Sequence, residues 1–513
     1  MLFHRSTQTM PTESPSIRIE FRNEYAYVVL LFLLAAVFLF SNLWIGDMGL
    51  DSCAYATISR SILRTHDWLV PHYEHCPQFQ DCWLHPPLFY WMTAVSFKVF
   101  GINEFAARFF PALLGLGTIL LVYLIGWGTG RSHKAGFLSA FVLLTTQPFL
   151  ELSRKCQIDG PLAFFLTLTV FFFRLAIQKS KYFFIPAGIA AGLATLTKGL
   201  PALGILGVIG LFFAIKGDFK FFISGRLLML MTSYILTLCL WLGPLLLAGQ
   251  FQNFVHNYFG GQIWGILTGE AASQKGLFAG SLGDYLWYIV ALVKRYWPWL
   301  PFLIFSFYLG LKRRKETPFG FLFVLWILVF LLFFSVSTLK FYRYLAPLYP
   351  AFALLIGVML ADKIRDKAFR SLVNASLAIL FIVLLATSLF PLYFGKINAP
   401  DKTEIKKMAP YIRSLTQNAE PISIYKLNYW GTVADFAFYV DRPIRNYDTD
   451  ETFLRSLQAG EHYGYLKKAD YLALPQEFQA QFLPLFETKN FFLLTNLENY
   501  KSQLKRAFPF VIY

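Results

Sequence analysis

Pro87-Leu-Phe-Tyr-Trp-Met-Thr-Ala-Val-Ser-Phe-Lys-Val-Phe100 is the stretch on which the fold turns, because it is apolar enough to pass for a membrane span. As a helix, about 14 residues cover about 21 Å, short of the roughly 30 Å of a hydrocarbon core. Read as a span, it inverts the side of every loop after it. Read as a helix lying on or dipping into one face, with prolines at its start, it leaves them in place.

The surrounding composition makes this a membrane question. Of 513 residues, 56% are hydrophobic and 19% aromatic, while only 15% are charged, and mean hydropathy is +0.49. A soluble domain carries about 25% charged residues, so these apolar side chains exceed what a globular core would hide. The net charge of +16 does not point to nucleic acid, because the basic residues sit in short clusters between apolar segments, which is how membrane topology is encoded.

Segments long enough to span lie near 25–45, 107–127, 135–150, 160–177, 183–197, 200–215, 227–248, 285–311, 318–336, 344–360 and 371–390. Basic clusters at Arg131/Lys134, Lys179/Lys181, Lys216/Lys220/Arg226, Lys312 to Lys315 and Lys363 to Arg370 recur in every second loop. With an uncleaved first span and residues 1–24 as a cytoplasmic tail, all five clusters fall inside. The loops at 46–106, 151–159, 249–284 and 337–343 then lie outside. The short Pro87 to Phe100 helix belongs to the first of these. Lys294, Arg295, Pro298 and Pro301 interrupt the 285–311 segment, whose first half reads as a surface helix.

The expected fold is an all-α polytopic membrane domain over 25–390, with about 11–13 transmembrane helices and interfacial helices in the first outer loop, 46–106. Cys53 to Thr65 is one of these helices, with Tyr55, Ile58 and Ile62 on one stripe and Thr57, Arg60 and Arg64 on the other. From about Pro391 the pattern turns soluble, predicting a small extracytoplasmic α/β domain over 391–513. Helices are expected at 402–416 and 450–458, and strands at 420–427, 461–466, 470–474 and 490–495.

Two outer loops each place an acid at a helix start. Asp51 follows Asp47 by one turn in the first loop, and Asp159 precedes Gly160-Pro161 in the second. Helix capping explains either acid without any chemistry. The other reading is a carboxylate at the membrane boundary that takes a proton from a hydroxyl. Outer basic residues also need a reason: Arg60, Arg64, Arg154, Lys155, Lys198, Lys275, Lys294, Arg295, Lys340 and Arg343. Contact with anionic headgroups accounts for most of them, while Lys198, Lys340 and Arg343 interrupt apolar surroundings and suit a phosphate.

Cys76 and Cys82 form a disulfide if the outer side is oxidising. His72, His75 and His85 supply zinc-ligand types, but no closed-site spacing. The sequence requires no cofactor, and a divalent metal is compatible with it. Gly115-Leu-Gly117 lies inside a span and reads as helix packing rather than a nucleotide loop.

An ordered set of motifs now comes together: Asp51-x-x-x-Tyr55-Ala, Asp67-Trp68, His85-Pro-Pro-Leu-Phe-Tyr-Trp91, Phe100-Gly, Glu104-Phe-Ala-Ala-Arg108, Gln157-Ile-Asp159, Leu196-Thr-Lys-Gly199 and Lys340-Phe-Tyr-Arg-Tyr-Leu-Ala-Pro-Leu-Tyr-Pro350. The set resembles the GT-C class of polytopic glycosyltransferases, in the branch of lipid A aminoarabinose transferases and protein O-mannosyltransferase-like enzymes. The resemblance implies transfer of a sugar from a polyprenyl-phosphate carrier to an envelope glycan, lipid or protein at the outer face of the cell membrane. By the same resemblance Asp51 and Asp159 are the catalytic-loop acids, and Lys198, Lys340 and Arg343, with His85 and Tyr55, hold the lipid-phosphate donor. Two positions depart from the family: His85 stands where a lysine is usual, and Ala54 where the aminoarabinose branch has a basic residue. The expected chemistry is an inverting displacement; a transporter or flippase of lipid-linked sugars is the alternative.

Overall fold

The computed structural model describes residues 16–46, 48–75, 83–264, 281–336, 340–389, 400–416, 421–427, 433–458 and 463–496. Asp47, Cys76, Cys82 and Lys275 lie outside the described residues, and with them the proposed disulfide.

The chain is mainly helical. The helices are α1 (Ser16–Phe40), α2 (Leu50–Thr65), α3 (Leu88–Phe100), α4 (Glu104–Gly130), α5 (His133–Leu144), α6 (Gln147–Ser153), α7 (Asp159–Gln178), α8 (Phe184–Lys198), α9 (Gly204–Ile215) and α10 (Gly225–Leu247). They are followed by α11, which begins at Phe251–Phe254 and continues as a π-helix over Val255–Trp264. The bundle closes with α12 (Leu282–Arg295), α13 (Leu300–Lys312), α14 (Pro318–Val336), α15 (Tyr349–Leu360) and α16 (Asp366–Leu389).

Six of the described helices are long and apolar enough to cross a membrane, and a seventh span arises if α5 and α6 are one bent element. Shorter apolar helices, among them Val28–Phe40, Leu200–Ile215 and Leu300–Lys312, cover other expected spans. Leu88–Phe100 is among the short ones, as its length required. It leaves Val95, Val99 and Phe100 exposed, an apolar face suited to lipid.

Two expected spans are broken. Residues 135–150 do not run straight: α5 and α6 meet at a 71° bend. Thr145 and Thr146 turn their hydroxyls back onto the carbonyls of Phe141 and Val142. Pro148 has no N–H with which to continue the ladder. Residues 285–311 divide into α12 and α13 at the Tyr296–Trp299 turn.

Small residues bring the helices together. A Cβ on Gly188 of α8 would lie 2.0 Å from Ser233 Oγ, and one on Gly192 would lie 2.6 Å from Thr237 Cβ, so α8 and α10 touch nearly backbone to backbone. With no hydrophobic driving force between helices in lipid, such close packing and the contacts it permits hold them. Gly115 meets Ser153 and Gly117 meets Phe164 in the same way, as the packing reading of that pair expected.

The C-terminal part begins with α17 (Pro400–Leu415) and builds a five-stranded sheet. Its strands are β1 (Ile422–Tyr425), β2 (Ile444–Tyr447), β3 (Tyr463–Lys467), β4 (Phe482–Glu487) and β5 (Phe491–Asn496), in the order β2-β1-β3-β5-β4. Strand β1 runs parallel to β2 and β3, with Ile422 opposite both Ile444 and Tyr463. The helices α18 (Ala434–Tyr439) and α19 (Asp450–Gln458) make the two crossovers. Strands β3, β5 and β4 pair antiparallel. All four residues of β1 are buried, as befits a strand covered on both faces. The strand expected at 470–474 is instead the end of a short helix, Lys468–Leu472. Tyr471 and Leu474 are buried while Leu472 is exposed, a spacing of three that suits a helix and not a strand.

Helix α2 ties this sheet region to the bundle, and here the two-striped reading needs correction. Its polar stripe is solvated only at Arg64, for Thr57 and Arg60 are as buried as Ile58. The Arg60 guanidinium donates to the carbonyls of Ala437 and Phe438, at 3.0 and 3.1 Å. These are the last carbonyls of α18, where a cation is favoured by the helix dipole. Arg60 also pairs with Glu74 and Asp441, both at 3.1 Å, while Arg64 reaches the same two acids. His75 Nε2 lies 2.9 Å from Asp441. Burial alone would raise the Asp441 carboxyl, but hydrogen bonds from Arg64 and His75 and the charges of both arginines hold it well below the usual carboxylate range.

Candidate active site

Helix α2 starts at Leu50 with Gly49 as its N-cap, in a positive-φ conformation and with no side-chain cap bond. Asp51 therefore sits inside the first turn and does not cap the helix. Its carboxylate instead forms an ion pair with the Arg343 guanidinium. Helix α7 repeats the arrangement: Ile158 is the N-cap, again with no side-chain cap bond. The carboxylate of Asp159, only 2% exposed, pairs with the ammonium of Lys198. The capping explanation thus fails at both acids.

Each cation is delivered by a helix end. Lys198 is the last residue of α8, and Gly199 turns the chain with φ 75° and ψ −131°. Only glycine fits there, since a Cβ would lie 1.7 Å from the Tyr258 hydroxyl. That hydroxyl accepts a hydrogen bond from Leu200 N at 3.3 Å, so α11 closes over the turn. Arg343 lies in the first turn of the 3-10 helix Tyr342–Leu348. The ring of Tyr344 lies 4.5 Å from Lys198 Nζ and 5.9 Å from the Arg343 guanidinium carbon, bridging the two ion pairs by cation–π contact.

The first loop supplies the remaining wall. The Tyr55 hydroxyl is 3.3 Å from His85 Nε2, and the Tyr55 ring lies edge-on to both His85 and Phe89. Burial, with Lys198 and Arg343 nearby, pushes the His85 imidazole down to about 3, so it is neutral. It offers a hydrogen bond but no charge. Burial, with Asp51 nearby, raises the Tyr55 phenol, which stays protonated.

The structure thus brings Asp51, Asp159, Lys198, Arg343, His85 and Tyr55 into one cluster. Lys340 is turned elsewhere. Its ammonium donates to the carbonyls of Phe334 and Ser335, at 3.2 and 2.6 Å, and lies 5.3 Å from the Tyr288 ring. It serves the end of α14.

The histidines do not converge on a metal. His72 pairs with Asp67 at 2.8 Å, His75 with Asp441, and His85 with Tyr55. Glu74, His75 and Asp441 lie within ligand distance of one another, but Arg60 and Arg64 already occupy both carboxylates. A cation there would face two guanidinium groups. Cys53 and Cys156 are free thiols and buried, and burial pushes Cys156 up to about 12.

Most of these basic residues already have partners within the protein. Arg60, Arg64, Arg154, Lys155, Arg295 and Lys340 all engage protein groups; Arg154, for example, donates to Ser41 O at 2.6 Å beyond α1. The sequence singles out these cations and, among the zinc-ligand types, Glu74, but it does not show that Glu74, Asp441 and Glu151 are what meets them.

Residues 84–243 match the family model described as dolichyl-phosphate-mannose-protein mannosyltransferase. An uncharacterized protein of Aquifex aeolicus is 28% identical over 348 residues, 66% of this chain and 64% of that protein. The undecaprenyl phosphate-alpha-4-amino-4-deoxy-L-arabinose arabinosyl transferase 1 of Sodalis glossinidius is 28% identical over 350 residues, 65% of this chain and 60% of that protein. The chain thus spans less than two thirds of the length of these relatives. The crystal structure of ArnT from Cupriavidus metallidurans bound to undecaprenyl phosphate superimposes with a TM-score of 0.76 at 17% identity, covering 93% of this chain and 99% of that one. The resemblance to GT-C glycosyltransferases holds. The fold is that of ArnT, and the chain is a multi-pass membrane protein. An oligosaccharyltransferase of Archaeoglobus fulgidus shares the fold more distantly, with a TM-score of 0.53 at 14% identity over 86% of this chain and 69% of that one.

Proposed function

We propose that this protein is an inverting glycosyltransferase that moves a sugar from a polyprenyl-phosphate carrier to a lipid, glycan or protein acceptor of the cell envelope, at the outer face of the membrane. The observation that carries the proposal is the pair of uncapped acids, Asp51 and Asp159, each held by a cation at one end of the bundle. The family model and the arabinosyl transferase relatives support it. So does the undecaprenyl phosphate bound to ArnT, whose fold this chain shares.

In the proposed reaction the donor phosphate draws Arg343 away from Asp51. The freed carboxylate takes the proton of an acceptor hydroxyl, whose oxygen attacks the anomeric carbon from the side opposite the phosphate. The carbon–oxygen bond to phosphate breaks and its electrons remain on the carrier phosphate, where Lys198 and Arg343 balance the added negative charge. No acid is needed at the leaving group, which suits a neutral His85. Asp159 holds Lys198 in place. Two departures keep the proposal at a polyprenyl-phosphate sugar in general rather than aminoarabinose: His85 in place of a lysine, and the buried methyl of Ala54 in place of a basic side chain.

The test is reconstitution of the full chain with a defined polyprenyl-phosphate sugar. Release of free carrier phosphate, lost in Asp51→Asn, is the expected result. Movement of intact donor across the bilayer without its consumption would make the protein a flippase instead.

A further inference from the structure

The bend between α5 and α6 borders an apolar groove and a polar cavity that meet at Glu151. The groove, of about 450 Å³, runs between α1, α5 and α16 and is walled by Leu34, Phe38, Leu144, Leu150 and Ile379. The cavity, of about 200 Å³, is lined by Lys155, Gln157, Arg295, Tyr342 and Arg343. Glu151 of α6 belongs to the wall of both. Its carboxylate accepts from Lys155 at 2.5 Å and lies 3.6 Å from Arg295. The Arg295 guanidinium is stacked over Tyr342, 4.1 Å from the ring centre. Trp299 Nε1 donates to Thr145 Oγ1 at 3.1 Å, which pins the bend.

We propose that groove and cavity together bind an anionic lipid, its chain between α1 and α16 and its head in the cavity, where it takes the place of Glu151 beside Lys155 and Arg295. Charge complementarity selects this occupant: three cations line the cavity against one acid, and Arg343 among them is shared with Asp51. An apolar slot ending in such a cavity fits a molecule that is apolar at one end and negative at the other. The site adjoins the carrier phosphate's proposed seat, with which it shares Arg343, but does not coincide with it, because Lys198 stands on α8, which packs against α7 and α10 rather than bounding the groove. Resting on the glycosyltransferase reading, the lipid is the acceptor: it reaches Asp51 past Arg343, while the donor comes from the Lys198 side.

The experiment uses the full chain in phosphatidylcholine nanodiscs with trace diazirine-bearing phosphatidic acid or diazirine-bearing phosphatidylcholine, and labelled peptides are mapped by mass spectrometry. Phosphatidic acid is expected to label α1 and α16 about tenfold above phosphatidylcholine, the contribution of a charge-assisted hydrogen bond. The double variant Lys155→Gln with Arg295→Gln brings it down to the phosphatidylcholine level. Ile379→Trp, at an exposed position in the groove wall, blocks both labels without disturbing a buried charge. Equal labelling by the two lipids in the unaltered protein means annular lipid only and overturns the site; so does competition by excess undecaprenyl phosphate, which assigns the groove to the carrier. Donor consumption is measured separately in the same nanodiscs. Consumption without selective labelling removes this site and leaves the enzyme, whereas selective labelling without consumption leaves a lipid site and removes its acceptor role.

Discussion

Asp51 and Arg343, 292 residues apart in the chain, meet as an ion pair at the head of α2. Arg343 occupies the carboxylate that an acceptor hydroxyl has to approach, so the pair has to open before the proposed reaction. Asp51→Asn is expected to lower transfer by about 10²- to 10⁴-fold, the usual contribution of general base catalysis. It should leave carrier-phosphate affinity unchanged or raised, since Arg343 is then free. Arg343→Ala should weaken carrier binding and transfer together. Kinetics in nanodiscs alongside undecaprenyl phosphate binding would separate the two effects, and an Asp51→Asn protein with normal turnover would remove Asp51 from the base role.

Asp159 and Lys198 are both buried, so neither can lose its partner cheaply. Breaking such a pair from one side costs about 3–5 kcal/mol, because the remaining charge stays buried and uncompensated. Asp159→Asn and Lys198→Met should each lower the unfolding temperature in detergent. The double variant Asp159→Leu with Lys198→Met should recover most of that loss while remaining inactive. Recovery of activity with stability would give Lys198 a purely structural part.

How much of this could be read from the chain follows from what kind of interaction each residue makes. Hydropathy and the alternation of basic clusters are local or periodic signals, and they yielded the bundle, the short Pro87 to Phe100 helix and the soluble pattern after it. The acids and cations of the site stood out because charge inside an apolar setting is costly and invites a reason. Their pairing was hidden: nothing near Asp51 announces Arg343, and nothing near Arg60 announces Asp441. The bend at Thr145 was also missed, because hydropathy does not register the two threonines and Pro148 that cause it. Lys340 shows the converse error. It lies beside Arg343 in sequence, yet turns back onto the carbonyls of α14.

His85 is neutral at any working pH, being held at about 3 against an ordinary value of 6.5. Its titration should therefore be absent from the pH profile of transfer between pH 6 and 8, and His85→Gln should leave the shape of that profile unaltered. Stability behaves differently. Between the folded and unfolded values the unfolded chain binds the additional proton, so stability present above pH 6.5 declines as pH falls towards 3. At pH 5 the decline from this group amounts to about 2 kcal/mol. Thermal unfolding at pH 7.5 and pH 5 should show a smaller acid loss in His85→Gln than in the unaltered protein.

Gly199 joins a strained backbone to a tight contact, with φ 75° and the Tyr258 hydroxyl where a Cβ would stand. Gly199→Ala is expected to cost about 1–3 kcal/mol from the backbone alone, with the steric contact in addition. The turn that presents Lys198 should shift, weakening carrier binding. Tyr258→Phe removes one oxygen from the crowded position, and the double variant should recover part of the loss. Equal stability for Gly199→Ala and the unaltered protein would show that the turn is not constrained as described.

The contact between α2 and the sheet region combines a shared apolar cluster, with Ile58 and Phe436 among its members, and one fully buried cation. Arg60, its side chain 2% exposed, satisfies two helix-end carbonyls and two carboxylates at once. Arg60→Gln retains some hydrogen bonding but leaves Glu74 and Asp441 with Arg64 alone, at a cost of about 3 kcal/mol by analogy with other broken buried pairs. The effect should be local: limited proteolysis should cut sooner between α16 and β1 while the bundle stays intact. Acid should imitate the substitution. Because the folded Asp441 carboxyl lies below its ordinary value of 3.8, its contribution is complete above that value and is lost as pH falls below it. Asp441→Asn should remove this acid step from the proteolysis profile. If the unaltered protein and Asp441→Asn are cut with the same pH dependence, Asp441 is not the group that holds α2 to the sheet.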